Sequence, residues 1–152
     1  MRYDADHKHL QILLADDDED DRSFFRDAIE QINIKTTLDT VNDGQELMDY
    51  LNKRTLSLPD VLFLDLNMPR KNGLECLSEI RASAKLKNII TAIYSTSLSD
   101  TDIEDTFIKG ANIYINKPSS FQKLKDILTE VIQINWQYHT STLNKDNFLL
   151  LR

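Results

Sequence analysis

A single cysteine, Cys76, is all that the 152 residues supply. It rules out an internal disulfide framework and suits a reducing cytoplasm, where we expect the protein to reside. Falling within a helical pattern, it reads as an inert core thiol. Long apolar runs are missing as well: no stretch approaches the ~20 residues that a membrane-spanning helix needs. Met1 to His9 carries no apolar run after its charges, so it does not read as a secretory signal. Glycine and proline number three each, and neither an internal repeat nor a low-complexity segment interrupts the chain. Positive charge is also scarce. Eighteen Lys and Arg face 25 Asp and Glu, for a net charge of −7. Phosphate backbones are bound mainly through clustered Lys and Arg, and no such cluster exists here, which argues against nucleic acid as a direct partner. A protein, a small molecule or a metal remains.

What is present is alternation. The length suits one domain with a substantial core, and 41% apolar residues is ordinary for a globular chain. Leu10 to Ala15 is a short apolar run that stops at six consecutive acids, Asp16 to Asp21. Phe25, Ala28, Ile29 and Ile32 then recur at helical spacing, predicting a helix over about Asp21 to Gln31. Thr36 to Val41 reads as a strand closed by the turn-former Asn42-Asp43-Gly44. Leu47, Met48 and Leu51 mark a second helix, and Val61-Leu62-Phe63-Leu64 a strand buried on both faces. Leu74, Leu77 and Ile80 make a third helix, Ile89 to Tyr94 a fourth strand, Ile103, Phe107 and Ile108 a fourth helix, and Asn112 to Ile115 a fifth strand. The last helix opens on a capping-box pattern, Ser119 with Gln122, and carries Phe121, Leu124, Leu128, Val131 and Ile132 on one face.

Strand and helix in alternation imply an α/β fold, a parallel sheet with helices on both faces and right-handed crossovers. Ligands of such sheets bind at the carboxyl ends of the strands. Chemistry is therefore expected just after Ala15, Leu64, Tyr94 and Ile115. Those places hold Asp16-Asp17, then Asp65-Leu66-Asn67-Met68-Pro69 with Gly73 closing the loop, then Ser95-Thr96-Ser97, then Asn116-Lys117-Pro118. Three crowded carboxylates repel one another unless protons or a cation intervene. Oxygen ligands without His or Cys select a hard cation such as Mg²⁺. A carboxylate beside that ion can act as a nucleophile towards phosphorus, and Lys117 and Ser95 offer a charge and a hydroxyl to the phosphoryl oxygens.

These four pieces in order, over about residues 10 to 134, resemble the receiver domain family of response regulators. The resemblance implies a flavodoxin-like, doubly wound five-stranded sheet of order 2-1-3-4-5, here spanning residues 10–136 between a tail (1–9) and a C-terminal extension (137–152). It implies a phosphorylated signalling protein rather than an enzyme in the ordinary sense, one that catalyses only its own phosphorylation and dephosphorylation. Asp65 would be the phosphoacceptor. Asp17 would coordinate Mg²⁺ directly, Asp16 largely through water, and Asn67 through its backbone carbonyl. Lys117 would pair with Asp65 and later with the phosphoryl group, across a cis bond to Pro118. Ser95 and Tyr114 would move inward on phosphorylation, and Thr96 would be the small residue that admits the phosphoryl group. A histidine kinase or a histidine phosphotransfer protein would be the phosphodonor.

Each residue also has a plainer reading. Asp18, Glu19, Asp20 and Asp21 read as helix N-terminal acids favoured by the dipole. Tyr114 alternates with Ile113 and Ile115, as a static half-buried tyrosine would. His7, His9 and His139 lie near the ends and read as solvated. Rival functions meet the same residues. A flavin binder of this sheet order cradles phosphate with a Ser/Thr/Gly-rich first loop, whereas this loop is acidic. An aspartate-nucleophile phosphatase has a second acid two residues after the nucleophile, where this chain has Asn67. A receiver that binds partners without phosphorylation would not need the full Asp, Ser and Lys set.

No room for an output domain is seen beyond Trp136, so a stand-alone receiver is expected. The segment Ile132 to Leu143, with Asn135-Trp136, is similar to the helix extension of receivers that serve phytochrome-type kinases. The apolar end Phe148-Leu149-Leu150-Leu151 is expected either to pack back on its own domain or to dock on a second copy or a partner. Ile127 and Ile134, placed off the main face of the last helix, are expected to seed a homodimer.

Overall fold

The computed structural model describes residues 9–53, 57–134 and 141–150. Strand and helix alternate as β1 (Leu10–Ala15), α1 (Glu19–Gln31), β2 (Thr36–Val41), α2 (Gly44–Lys53), β3 (Val61–Leu64), α3 (Gly73–Ala82), β4 (Ile90–Ser95), α4 (Asp100–Ile108), β5 (Ile113–Asn116) and α5 (Phe121–Gln133). A short helix, α6 (Lys145–Phe148), and a two-residue strand, β6 (Leu149–Leu150), follow. All strands pair in parallel, in the order β2-β1-β3-β4-β5-β6. The five-stranded order 2-1-3-4-5 is therefore present, with one addition. Leu149 and Leu150 pair with Tyr114 and Ile115, so the apolar C-terminal segment extends the sheet as a sixth strand. It packs back on its own domain because the outer edge of β5 offers unpaired backbone groups beside an apolar face.

Two-residue periodicity splits every strand between two cores. Leu13, Ala15, Leu62, Leu64, Ile93 and Tyr114 face one core, with Leu47, Leu51, Leu77 and Ile80 from α2 and α3. Ile12, Leu14, Val61, Phe63, Tyr94 and Ile115 face the other, with Phe25, Ala28 and Ile29 from α1 and Leu124, Leu128 and Val131 from α5. No residue of β3 is exposed, which is why its sequence reads as an uninterrupted apolar run. No helix among the described residues is long and apolar enough to cross a membrane.

Three local expectations are corrected. The hydroxyl that caps α5 is that of Ser120, which accepts from Lys123 N at 3.2 Å, and not that of Ser119. The two serines offer the same group, and burial of Leu124 and Leu128 sets the helix one residue later than the sequence pattern suggests. Ile127 is 1% exposed and lies within the core, and Ile134 packs against the same core. The face of α5 is wide because it lies on both the sheet and α1, where Phe24 meets Phe121 edge-on at 5.5 Å. Ile127 therefore offers no surface to a second copy, whereas Ile134 is half-buried. Finally, no peptide bond among the described residues is cis, so Lys117–Pro118 is trans. Trans is the lower-energy isomer even before proline, and the Lys117 side chain reaches its partners with it. The stretch around Asn135-Trp136, the tail up to Lys8 and His139 lie outside the described residues.

Candidate functional site

The site forms where β1, β3, β4 and β5 end. Backbone hydrogen bonds bring these ends into line: Asp65 N–H donates to Ala15 O at 3.0 Å, and Lys117 N–H donates to Ser95 O at 2.8 Å. Asp16 and Asp65 consequently emerge side by side from adjacent strands. Gly73 holds the loop after β3 against the acid. Its N–H donates to Leu66 O at 2.9 Å, and a Cβ there would stand 2.2 Å from Asp65 O. Only glycine allows that approach.

Asp16, Asp17 and Asp65 each offer a carboxylate oxygen, and the three lie within 4.8 Å of one another. Asp16 is fully buried, Asp65 is 6% exposed and Asp17 is open to solvent. One Asp16 oxygen accepts from Asp18 N–H at 3.0 Å. The other, Oδ2, lies 2.8 Å from Lys117 Nζ, but it is buried and receives no aligned hydrogen bond. An under-satisfied buried carboxylate oxygen, an all-oxygen donor set and one open side are what a hard divalent cation requires. The three carboxylates therefore fit a metal site.

Burial pushes the Asp65 carboxyl up to about 6. Lys117 opposes that rise, Asp16 adds to it, the Asn67 N–H, 3.4 Å from Oδ1, opposes it, and Asp17 adds to it. Lys117 is equally perturbed. Burial works against its charge, yet the close contact with Asp16, the hydrogen bond to Asp21 and the nearby charge of Asp65 more than offset that, and its pKa rises. Its ammonium rests 2.8 Å from Asp16, 2.9 Å from Asp21 and 3.5 Å from Asp65. Tyr94 lies beneath, with its ring centroid 5.3 Å from Nζ, at a favourable cation–π distance.

The residues singled out after β4 and β5 are also close by. Ser95 is buried, and its Oγ accepts from Ser97 N–H at 3.1 Å. Thr96 is exposed at the rim, as is Asn67. Tyr114 is fully buried rather than half-buried, and its hydroxyl donates to Ser97 O at 2.8 Å. The tyrosine thus faces inward, bridging β5 to the loop before α4. Cys76 is buried, and burial pushes its thiol up to about 12, so it is no nucleophile. His9, the described histidine, is exposed and precedes β1, at the opposite end of the strand from the acid cluster.

Sequence reasoning missed three residues. Asp21 was read as a helix-dipole acid, yet it accepts from Lys117 Nζ. Its place in the first turn of α1, directly after the strand-end acids, was the available signal. Tyr94 was seen only as the end of a strand. Asn116 donates to Ser95 O and Thr96 O at 3.2 Å each, tying β5 to the loop after β4. Nothing short of the sheet register reveals that contact.

Comparison with known proteins gives a consistent result. The model of the response regulator receiver domain matches residues 12–129. A probable methanogenesis regulatory protein, FilR2 of Methanothrix harundinacea, is 32% identical over 123 residues, covering 79% of each chain. Response regulator Rcp1 of a Synechocystis strain is 29% identical over 124 residues, covering 79% of this chain and 82% of its own. Among solved structures, the phosphorylated cyanobacterial phytochrome response regulator RcpA superposes with a TM-score of 0.76 at 31% identity, over 90% of this chain and 98% of its own. The Mn²⁺-bound form of Rcp1 superposes at 0.75 with 26% identity, over 82% and 95%.

Proposed function

The chain belongs to the response regulator receiver family, and on that premise we propose that it is a single-domain response regulator phosphorylated on Asp65 by a phosphohistidine donor. One observation carries the assignment of the residue. Asp65 is the carboxylate that shares a metal-sized cluster with Asp16 and Asp17 while Lys117 Nζ stands 3.5 Å away. Asp16 meets both conditions too, but it is fully buried, whereas Asp65 keeps some exposure to solvent.

In the reaction an Asp65 oxygen attacks the donor phosphorus, the bond from phosphorus to the imidazole nitrogen breaks, and an aspartyl phosphate remains. The protein's part is positioning and charge. Asp16, Asp17 and Asp65, with the backbone carbonyl of Asn67, would hold Mg²⁺, which supplies positive charge to the phosphoryl oxygens. Lys117 answers a second phosphoryl oxygen as a mobile point charge. The Ser95 hydroxyl, which accepts from Ser97 N–H and lies within hydrogen-bond reach of Tyr114, can be recruited by a third. Exposed Thr96 leaves the approach open. Tyr114, linked to Ser97 O, carries any movement of that loop to the β5 edge. Self-phosphorylation and self-dephosphorylation are then the only chemistry this site performs, and a histidine kinase or phosphotransfer protein is the partner. Rcp1 was solved with Mn²⁺ and RcpA in phosphorylated form, and both facts support this reading.

Intact-mass analysis with Mg²⁺ and a small acyl phosphate tests it. One phosphoryl group is expected on the wild-type protein, and none on Asp65→Asn or after chelation of the metal. A wild-type chain that stays unmodified, or an Asp65→Asn chain that takes up the group, overturns the assignment.

A further inference from the structure

The lysine of the site has one more partner than the proposed chemistry uses. Its ammonium needs Asp16 and Asp65, the two buried acids, to serve a phosphoryl group arriving between them. It is nevertheless hydrogen-bonded to Asp21, on the first turn of α1, at 2.9 Å, while Asp65 stands further off at 3.5 Å. The Lys117 side chain is 9% exposed, so its direction is decided by these contacts rather than by solvent. Asp21 is itself held in place. Its N–H donates to the capping carboxylate of Asp18 at 3.0 Å, and its side chain is 40% exposed.

We propose that Asp21 is a positioning residue that holds the Lys117 ammonium back from Asp65 in the resting protein and must yield it when the phosphoryl group arrives. The inference rests on Asp65 being the phosphoacceptor. Asp21 does not touch the reacting atoms and acts only through the lysine. An ammonium has three donors on a flexible stem. It can satisfy Asp16 and Asp21 together, or swing towards Asp65 and the incoming group, but the bond to Asp21 is lost in the second arrangement. A group that binds the resting state better than the loaded one weakens capture of the phosphodonor. Other acids of the same turn make no such contact. Asp20 is exposed and serves as a control for the loss of one negative charge near the site.

Uptake of the phosphoryl group from a small acyl phosphate, with Mg²⁺ present, is followed as a function of donor concentration. Asp21→Asn is expected to lower the half-saturating donor concentration about threefold to tenfold and to change the maximal rate less than about twofold, on the scale of one charged hydrogen bond partly exposed to water. Asp20→Asn removes the same charge and is expected to move neither value beyond about twofold, and Asp21→Glu to restore the wild-type profile. An Asp21→Asn profile that coincides with that of Asp20→Asn, or a higher half-saturating concentration, overturns the proposal. Wild-type uptake with none on Asp65→Asn shows that the phosphoacceptor assignment stands, so the two readings fail separately. An independent readout needs no phosphodonor. The nitrogen resonance of the Lys117 ammonium should shift in Asp21→Asn and stay in place in Asp20→Asn; an unmoved resonance in Asp21→Asn also overturns the proposal.

Discussion

The carboxyl edge of the sheet and its outer side edge are built on opposite principles. At the first, Asp16 and Asp65 are buried side by side with one lysine between three acids. At the second, β6 lies along β5, and Phe148, 1% exposed, sits edge-on to Phe107 at 5.2 Å and to Tyr114 at 6.2 Å. The first region lowers stability, since like charges out of water cost more than a single ammonium returns. The second raises it by burying aromatic surface with favourable edge-to-face geometry. The two meet at Tyr114, whose ring touches the C-terminal segment and whose hydroxyl reaches the loop after Ser95. A charged site that costs stability is thus joined by one side chain to an apolar clasp that steadies the sheet.

The sharpest way to break this comparison is Phe148→Ala. Truncating a fully buried phenylalanine is expected to cost about 3–4 kcal/mol, seen as a lower midpoint in urea unfolding. A loss under about 1 kcal/mol would mean that the clasp contributes little. The reciprocal change at the charged edge is Asp65→Asn without metal. Relief of repulsion should raise stability by about 1–2 kcal/mol at neutral pH once solvent screening is allowed for. A thermal midpoint equal to or below that of the wild type would show that the acid is not a burden.

The pH dependence sharpens the same point. The Asp65 carboxyl titrates near 6 in the folded chain instead of its ordinary 3.8. Between those values the native state holds a proton that the unfolded chain has lost, so this group makes stability fall as pH rises. The destabilisation is complete above about 6 and absent below 3.8. The advantage of Asp65→Asn should therefore shrink as pH drops from 7 towards 4, read as the difference between the two melting curves. A constant difference would place its origin elsewhere. The smallest effect belongs to Lys145→Ala. Its ion pair with Glu104, at 2.8 Å, is widely exposed on both sides. Such pairs are worth under about 1 kcal/mol, so an unchanged midpoint is expected, and a large fall would mean that the clasp is held by charge rather than by Phe148.

Much of this architecture was legible before any coordinates. β2 begins and ends where its β-branched run does and β3 where its apolar run does, and the strand-end rule brought Asp16, Asp17, Asp65, Ser95 and Lys117 to one edge. The misreadings share a cause. Ser120 rather than Ser119 caps α5 because helix phase is settled by burial. Ile127 is core because α1 lies over α5, a neighbour that no one-helix pattern reveals. Tyr114 is buried rather than half-buried because the C-terminal segment folds over it. The roles of Asp21 and Asn116 depend on side chains reaching between segments 96 and 20–21 residues apart in the chain.

By itself the sequence determined what local periodicity and strand-end chemistry can determine: the order of elements, the parallel sheet, the acid cluster and its lysine, and the family they resemble. Spacing along one segment carries that information, because period two and period 3.6 are properties of the backbone alone. Tertiary structure decided which acid holds Lys117, which way Tyr114 faces and where Phe148 goes. Those outcomes are competitions among groups distant in the chain. Their winners are set by distances of a few tenths of an ångström and by which surfaces lose water, and neither is written into the spacing of residues.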